Sequence, residues 1–148
     1  MQRLNLPEYQ FRIKKDRNKL AIFDEIRKKF LVLTPEEWVR QNFIKFLNQE
    51  KKFPMSLIGV ERLVMINQNP LRCDLLVYNR KGLPFLVVEC KAPNVRISQD
   101  TFDQIARYNM QLKVPYLVVT NGLQHYCCLI DYDQQSYEYL QNIPVFPE

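Results

Sequence analysis

Two carboxylates and a lysine, Asp74, Glu89 and Lys91, are the residues whose types and spacing most directly suggest chemistry. Glu89 and Lys91 are two positions apart at the end of an apolar segment, so a strand there places both on one face and turns the side chain of Cys90 away. Asp74 begins a second apolar segment. If the two segments pair, the carboxylate of Asp74 lies beside that of Glu89.

Adjacent carboxylates repel each other, and a divalent cation bound to both removes that repulsion. Oxygen ligands suit Mg²⁺, which keeps several waters in protein sites. We therefore expect Asp74, Glu89 and the carbonyl oxygen of Cys90 to bind Mg²⁺, for which Mn²⁺ can substitute. Such a metal polarises a phosphodiester and helps to produce a hydroxide nucleophile. Lys91 would stabilise developing negative charge or orient the attacking water.

A purely structural alternative exists for these three residues. Either carboxylate could form a salt bridge with Lys91 at the edge of a sheet, with no metal and no reaction. The spacing alone does not decide between the two interpretations, but a charged pair at the end of an apolar strand is costly to bury without a partner or a function.

The elements that must position these residues follow from the apolar pattern. Four segments rich in Val, Ile, Leu and aromatic residues predict strands, at 57–66, 75–78, 85–88 and 116–119. The Asn79-Arg80-Lys81-Gly82 turn makes the second and third an antiparallel hairpin. A helix predicted at 98–112 joins the third strand to the fourth, which implies parallel pairing, and 124–132 with 136–140 forms a closing hairpin. The fold class is α/β, a mixed β-sheet flanked by helices.

The N-terminal part of the chain predicts a hairpin at about 9–24 and then a helix. Thr34 suits the helix N-cap, Pro35 suits the first helical position, and Glu37 completes a Thr-x-x-Glu capping box. Apolar residues at helical spacing give this helix its buried face: Val39, Phe43, Phe46 and Leu47.

Composition limits the remaining possibilities. The chain has 148 residues, of which 47% are hydrophobic and 25% charged, as in an ordinary globular domain. We predict one domain, residues 1–148, with its core at about 30–132. The sequence shows no apolar run long enough for a membrane span and no signal peptide, so we expect a cytoplasmic protein.

Basic residues suggest an anionic partner. The net charge is +5, and positive residues concentrate near the N-terminus, at Arg12, Lys14, Lys15, Arg17 and Lys19 and again at Arg27, Lys28 and Lys29. These residues either contact phosphates or only solvate a hairpin and a helix face.

Cysteine and histidine spacing does not predict zinc. The four cysteines, Cys73, Cys90, Cys127 and Cys128, form no Cys-x-x-Cys pair, and His125 completes no zinc-finger spacing with them. We expect free thiols packed in or near strands.

The motifs together resemble the PD-(D/E)xK nucleases, and more narrowly the N-terminal domain of type I restriction enzyme R subunits. In that family a helical Glu precedes the Asp, an E-x-K motif follows it, and a Gln-x-x-x-Tyr motif lies on the next helix. This chain has Thr34 to Gln41, Asp74, Glu89-Cys90-Lys91, and Gln104 to Tyr108 in that order. Cys73 replaces the proline of the superfamily name, at a position that varies in such motifs. The resemblance implies a restriction-endonuclease-like three-layer core.

The resemblance requires a third carboxylate from the first helix, and two glutamates are available. At 100° per residue Glu36 lies within the arc of Val39 and Phe43, whereas Glu37 is rotated off that arc and is used in the capping box. We therefore predict that Glu36 is the metal-side carboxylate. Alternatively, both glutamates only favour the positive N-terminus of the helix.

The resemblance also implies a DNA-facing pair on the second helix. Gln104 and Tyr108 are one turn apart and lie off the face predicted to be buried. They can point together at DNA or at the end of the site that contains Lys91.

Two functions are consistent with the sequence. The first is a metal-dependent DNA endonuclease domain like that of type I restriction R subunits, and the second is a non-catalytic nucleic-acid-binding or assembly module that retains the fold. R subunits are much longer and include an ATP-driven translocase, whereas this chain has no GxxxxGK[ST] phosphate loop. It therefore works alone, joins separately encoded restriction-modification or helicase subunits, or is a relic.

Overall fold

The structure is a computed structural model that describes residues 1–147, and its strands form two sheets. The smaller is antiparallel and contains β1 (Ile13–Asp16), β2 (Lys19–Asp24) and β3 (Lys29–Val32). It confirms the predicted hairpin, which closes through Arg17 and Asn18 at φ of 50° and 67°. The strand β3 was not predicted. The alternative in which Arg27, Lys28 and Lys29 lie on a helix face is wrong, because Lys28 is in a turn and Lys29 begins β3.

The larger sheet has six strands in sequence order, and only one neighbouring pair is parallel. Its strands are β4 (Ile58–Ile66), β5 (Asn69–Tyr78), β6 (Pro84–Cys90), β7 (Tyr116–Thr120), β8 (His125–Asp131) and β9 (Ser136–Leu140). The antiparallel β5–β6 hairpin, the parallel β6–β7 pair and the closing β8–β9 hairpin confirm the predicted pairings. The strand β5 starts earlier than predicted, so Asp74 lies inside it and does not begin it.

Two helices cover opposite faces of the large sheet. The helix α1 (Pro35–Gln49) packs on the face that contains Val88, and α2 (Gln99–Asn109) packs on the face that contains Val87. Because neighbouring residues of a strand point to opposite faces, one strand, β6, contributes to both cores. The expected α/β architecture of a mixed sheet between helices is confirmed.

The helix starts follow local capping chemistry. The Thr34 side chain accepts a hydrogen bond from the backbone N–H of Glu37 at 3.0 Å, as an N-cap should. Ser98 caps α2 in the same way through the N–H of Thr101. The last predicted turn of the second helix is a 3-10 segment, Met110–Leu112.

The four cysteines are buried within strands of the large sheet, as predicted. Within residues 1–147, no helix combines the length and apolar character that crossing a membrane requires.

Candidate active site

Strand register brings the two central carboxylates together. Leu75 of β5 is paired with Val88 of β6, and Asp74 and Glu89 are the next residues along these two strands. Burial, and then the negative charge of Asp74, raise the pKa of Glu89 to about 7. The two carboxylates are therefore near enough to interact electrostatically, and a metal shared between them stays a prediction.

Both oxygens of Asp74 have hydrogen-bond partners. Oδ2 accepts the backbone N–H of Cys90 at 2.7 Å, and Oδ1 accepts Nη2 of Arg40 at 3.2 Å. One partner comes from the neighbouring strand and the other from α1. The carboxylate is thus held in one orientation from two directions.

Lys91 is fixed at its backbone and loosely held at its ammonium group. Its N–H donates to the carbonyl of Thr120 at 2.8 Å, which extends the parallel pairing of β6 with β7. Its Nζ lies 3.6 Å from Oε1 of Glu89, beyond ordinary hydrogen-bond length. The Lys91 and Glu89 side chains are 32% and 24% exposed, so a ligand in solution can reach both.

Cys90 contributes to the site through its backbone. Its thiol lies in the core beneath α1, and burial raises the pKa of the thiol well above its usual value. The side chain therefore points away from Glu89 and Lys91, as the strand alternation predicted.

The structure corrects the predicted orientation of the two helical glutamates. Glu37 is the buried one, with a side chain 9% exposed, whereas that of Glu36 is 48% exposed. Nor does the side chain of Glu37 return to Thr34 in a capping box: it accepts from Arg40 at 2.6 Å, and the N–H of Thr34 donates to Val32. Glu36 still faces the site, since its Oε2 is 3.4 Å from Arg40 Nη2. Its role towards a metal stays a prediction.

A buried network of charged groups supports this side of the site, and the sequence analysis missed it. Arg27 binds Asp24 at 2.7 Å, Glu37 at 3.3 Å and Glu61 at 3.2 Å. Gln41 donates to Asp24 and to Glu37, both at 2.9 Å. One signal was available: Arg40 follows Glu36 and Glu37 at spacings that form ion pairs on a helix.

The helix α2 carries the predicted Gln-Tyr pair to the same region. Gln104 and Tyr108 line a surface pocket together with Glu89, Ile105 and Asn109. The hydroxyl of Tyr108 also accepts the backbone N–H of Arg72 in β5 at 3.3 Å. Both residues are exposed, so this pocket opens next to the carboxylates.

The donor set fits a magnesium ion with few protein ligands. Within the described chain, residues 1–147, no three His, Cys, Asp or Glu side chains form a ready-made metal-binding group. Asp74 and Glu89 are close, however, since the charge of Asp74 adds to burial in raising the pKa of Glu89. Because Mg²⁺ is commonly held by one or two carboxylates and keeps its waters, Asp74, Glu89 and the backbone of Cys90 suit it.

The small sheet presents a basic surface. Every residue of β1 is exposed, and the guanidinium of Arg12 stacks 4.5 Å from the ring centre of Phe23. The ammonium group of Lys14 lies 4.2 Å from the ring centre of Phe30. Through Arg27, the β2–β3 turn connects this surface to the network that holds Asp74.

Comparisons with known proteins identify a family and a similar fold. A family model described as the type I restriction enzyme R protein N terminus matches residues 35–144. The chain is also similar to a solved fragment described as a putative HsdR subunit of a type I restriction enzyme from Vibrio vulnificus YJ016. That likeness has a TM-score of 0.51 and 22% identity, covers 76% of this chain and 24% of the other, and establishes similarity of fold. The chain therefore spans about a quarter of that relative. A search of curated proteins gave no match.

Proposed function

The chain belongs to the family of type I restriction enzyme R protein N termini, and from this premise we propose that it is a metal-dependent DNA endonuclease domain. The observation that carries the proposal is the position of Asp74 and Glu89 on the paired strands β5 and β6, with the accessible ammonium group of Lys91 3.6 Å from Glu89.

Each residue then has a distinct task. Asp74, Glu89 and the carbonyl of Cys90 would hold Mg²⁺, which when bound supplies a Lewis acid for the phosphate and an activated water. Lys91, fixed at its backbone by Thr120, would place its positive charge against the non-bridging oxygens of the phosphate, where negative charge develops in the transition state.

DNA would approach over α2 and the small sheet. Gln104 and Tyr108 line the pocket beside Glu89, where they can contact the strand being cleaved. The basic surface of β1 would bind more distant phosphates. Because the family is that of type I restriction enzyme R proteins, we also propose restriction-modification or helicase subunits, encoded separately, as partners.

A cleavage assay tests the proposal directly. Supercoiled plasmid and single-stranded DNA are incubated with the protein in Mg²⁺, in Mn²⁺ and in a chelator, and nicked or shortened products are separated on gels. We expect products with either metal and none with the chelator. DNA binding without cleavage under every condition would instead support the non-catalytic module.

The basic surface leads us to predict how DNA affinity depends on salt. Affinity for DNA should fall steeply with salt, because each phosphate that the protein neutralises releases counterions, and should show little sequence preference. Replacing Lys14, Lys15 and Arg17 with alanine should reduce the slope of log affinity against log salt by about 0.9 for each phosphate that is no longer neutralised. Fluorescence anisotropy with a labelled duplex at several salt concentrations measures this slope.

A matched control separates local binding from total charge. Arg80, Lys81 and Lys113 are exposed and lie near the end of the sheet where β6 and β7 begin, opposite to Lys91. Replacing these three with alanine removes the same charge and should leave the slope nearly unchanged. Equal slopes for both triple variants would assign the β1 residues to solubility alone.

A further inference from the structure

Arg40 is a buried cation surrounded by carboxylates. Its side chain is 4% exposed. Nη1 donates to Glu37 at 2.6 Å, whereas Nη2 lies 3.2 Å from Asp74, 3.4 Å from Glu36 and 3.7 Å from Glu61. One end of the guanidinium thus makes a short bond, and the other is shared at longer distances among three acidic groups.

The short bond is anchored in the interior. Glu37 also accepts Gln41 Nε2 at 2.9 Å and Arg27 Nη2 at 3.3 Å, so its position does not depend on Arg40. Arg40 Nε is buried without a hydrogen-bond partner within the part of the chain that the structure describes. The guanidinium therefore makes its polar contacts only through its two terminal nitrogens, and Nη2 is the one that faces Asp74.

We infer that Arg40 is the resident counter-ion of Asp74 and Glu36, and that its charge lowers the affinity of this site for a divalent cation. The inference depends on the proposed function, because it concerns the same metal. Without a metal, the guanidinium offsets the repulsion between the carboxylates of Asp74 and Glu36. A bound cation would share Asp74 with a positive charge already beside it, and like charges at such distances repel strongly in a partly buried site.

A different role for Arg40 predicts the opposite change in metal affinity when Arg40 is replaced. If Arg40 mainly positions Asp74 for ligation, as hydrogen-bonded neighbours of metal ligands often do, its removal should weaken metal binding. If it acts mainly as a competing charge, its removal should strengthen binding while destabilising the metal-free fold. Metal affinity therefore distinguishes the two roles without any measurement of cleavage.

Thermal unfolding during a Mg²⁺ titration at constant ionic strength provides the measurement. For Arg40→Gln we expect a lower Tm without metal, and half-maximal stabilisation at a Mg²⁺ concentration about tenfold below that of the unsubstituted chain, equivalent to about 1.4 kcal/mol. Arg27→Gln is the matched control, since Arg27 occupies the same network and bonds Glu37 but not Asp74. It should also lower the Tm without metal, with a clearly smaller change in the Mg²⁺ concentration.

Three results would overturn the inference. A half-maximal concentration that is unchanged or higher in Arg40→Gln overturns the inference and leaves the proposed function intact, and so does an equal decrease in both variants. Absence of any Mg²⁺ or Mn²⁺ stabilisation, in the unsubstituted chain and in Arg40→Gln alike, overturns the inference and the proposed metal site together. If Arg40→Gln does not fold, Glu37→Gln/Arg40→Gln takes its place under the same criteria, because removing both members of a buried ion pair costs less than removing one.

Discussion

Replacing Asp74 with alanine is expected to remove most of the stability that Mg²⁺ confers, and DNA cleavage with it. At a Mg²⁺ concentration about 100 times the Kd, binding should stabilise the unsubstituted chain by about 2.7 kcal/mol. For a domain of this size that corresponds to an increase in Tm of roughly 5–10 °C. Removal of a carboxylate that binds the metal directly should lower metal affinity by more than about 100-fold, the upper range for groups that only support ligands.

The metal-induced change in Tm is the appropriate measurement for Asp74. Asp74 also accepts hydrogen bonds from Cys90 and Arg40. Its removal breaks these bonds and should lower the Tm even without metal. Asp133→Ala, in the turn between β8 and β9, removes one exposed carboxylate far from the site and should keep the full increment. An Asp74→Ala protein that gains as much from Mg²⁺ as this control would contradict the assigned ligand.

Replacing Lys91 with alanine should separate catalysis from metal binding. The ammonium group is assigned to the transition state, so its removal should slow cleavage by about 10²–10³-fold, as for other groups that stabilise developing charge. Stabilisation by Mg²⁺ should persist or increase, because a positive charge 3.6 Å from Glu89 is removed. Single-turnover cleavage kinetics and Mg²⁺-dependent unfolding measure the two effects.

A control for Lys91 comes from the turn between β5 and β6. Lys81 is exposed there, and Lys81→Ala should change neither the cleavage rate nor the metal increment. If Lys91 were only a salt-bridge partner, Lys91→Ala would lower the Tm equally with and without Mg²⁺ and leave the rate unaffected. That result would remove the catalytic assignment while retaining the fold.

The large sheet could be predicted because short stretches of sequence contain the signals for its strands and turns. Apolar residues in the segments that became β5 and β6, the turn between them, and a helix before β7 predict the pairing and its direction, which the structure confirms. The strand β3 was missed because Lys29–Val32 is short, only partly buried and follows two basic residues. This strand forms by pairing with β2, and no pattern within residues 29–32 indicates that pairing.

The site was predicted less completely, for a physical reason. The sequence analysis chose Asp74, Glu89 and Lys91 from strand alternation and one turn, and their roles stay predictions. The rotation of α1 was judged from apolar residues alone, yet Glu37, Arg40 and Gln41 are also buried and widen the inward-facing arc of the helix. Polar residues are buried here because they find partners distant in sequence, such as Arg40 with Asp74. Hydrophobic periodicity does not detect such partners.

The backbone hydrogen bond from Lys91 to Thr120 makes the main chain at the site move much more slowly than its side chains. The Lys91 backbone continues a central strand, so displacing it means opening the sheet between β6 and β7, a rare local unfolding event. The side chains of Lys91 and Glu89 are partly exposed and change rotamer in picoseconds to nanoseconds. In the proposed function, Lys91 and Glu89 would therefore adjust to a bound phosphate by side-chain rotation, without a slow rearrangement of the main chain.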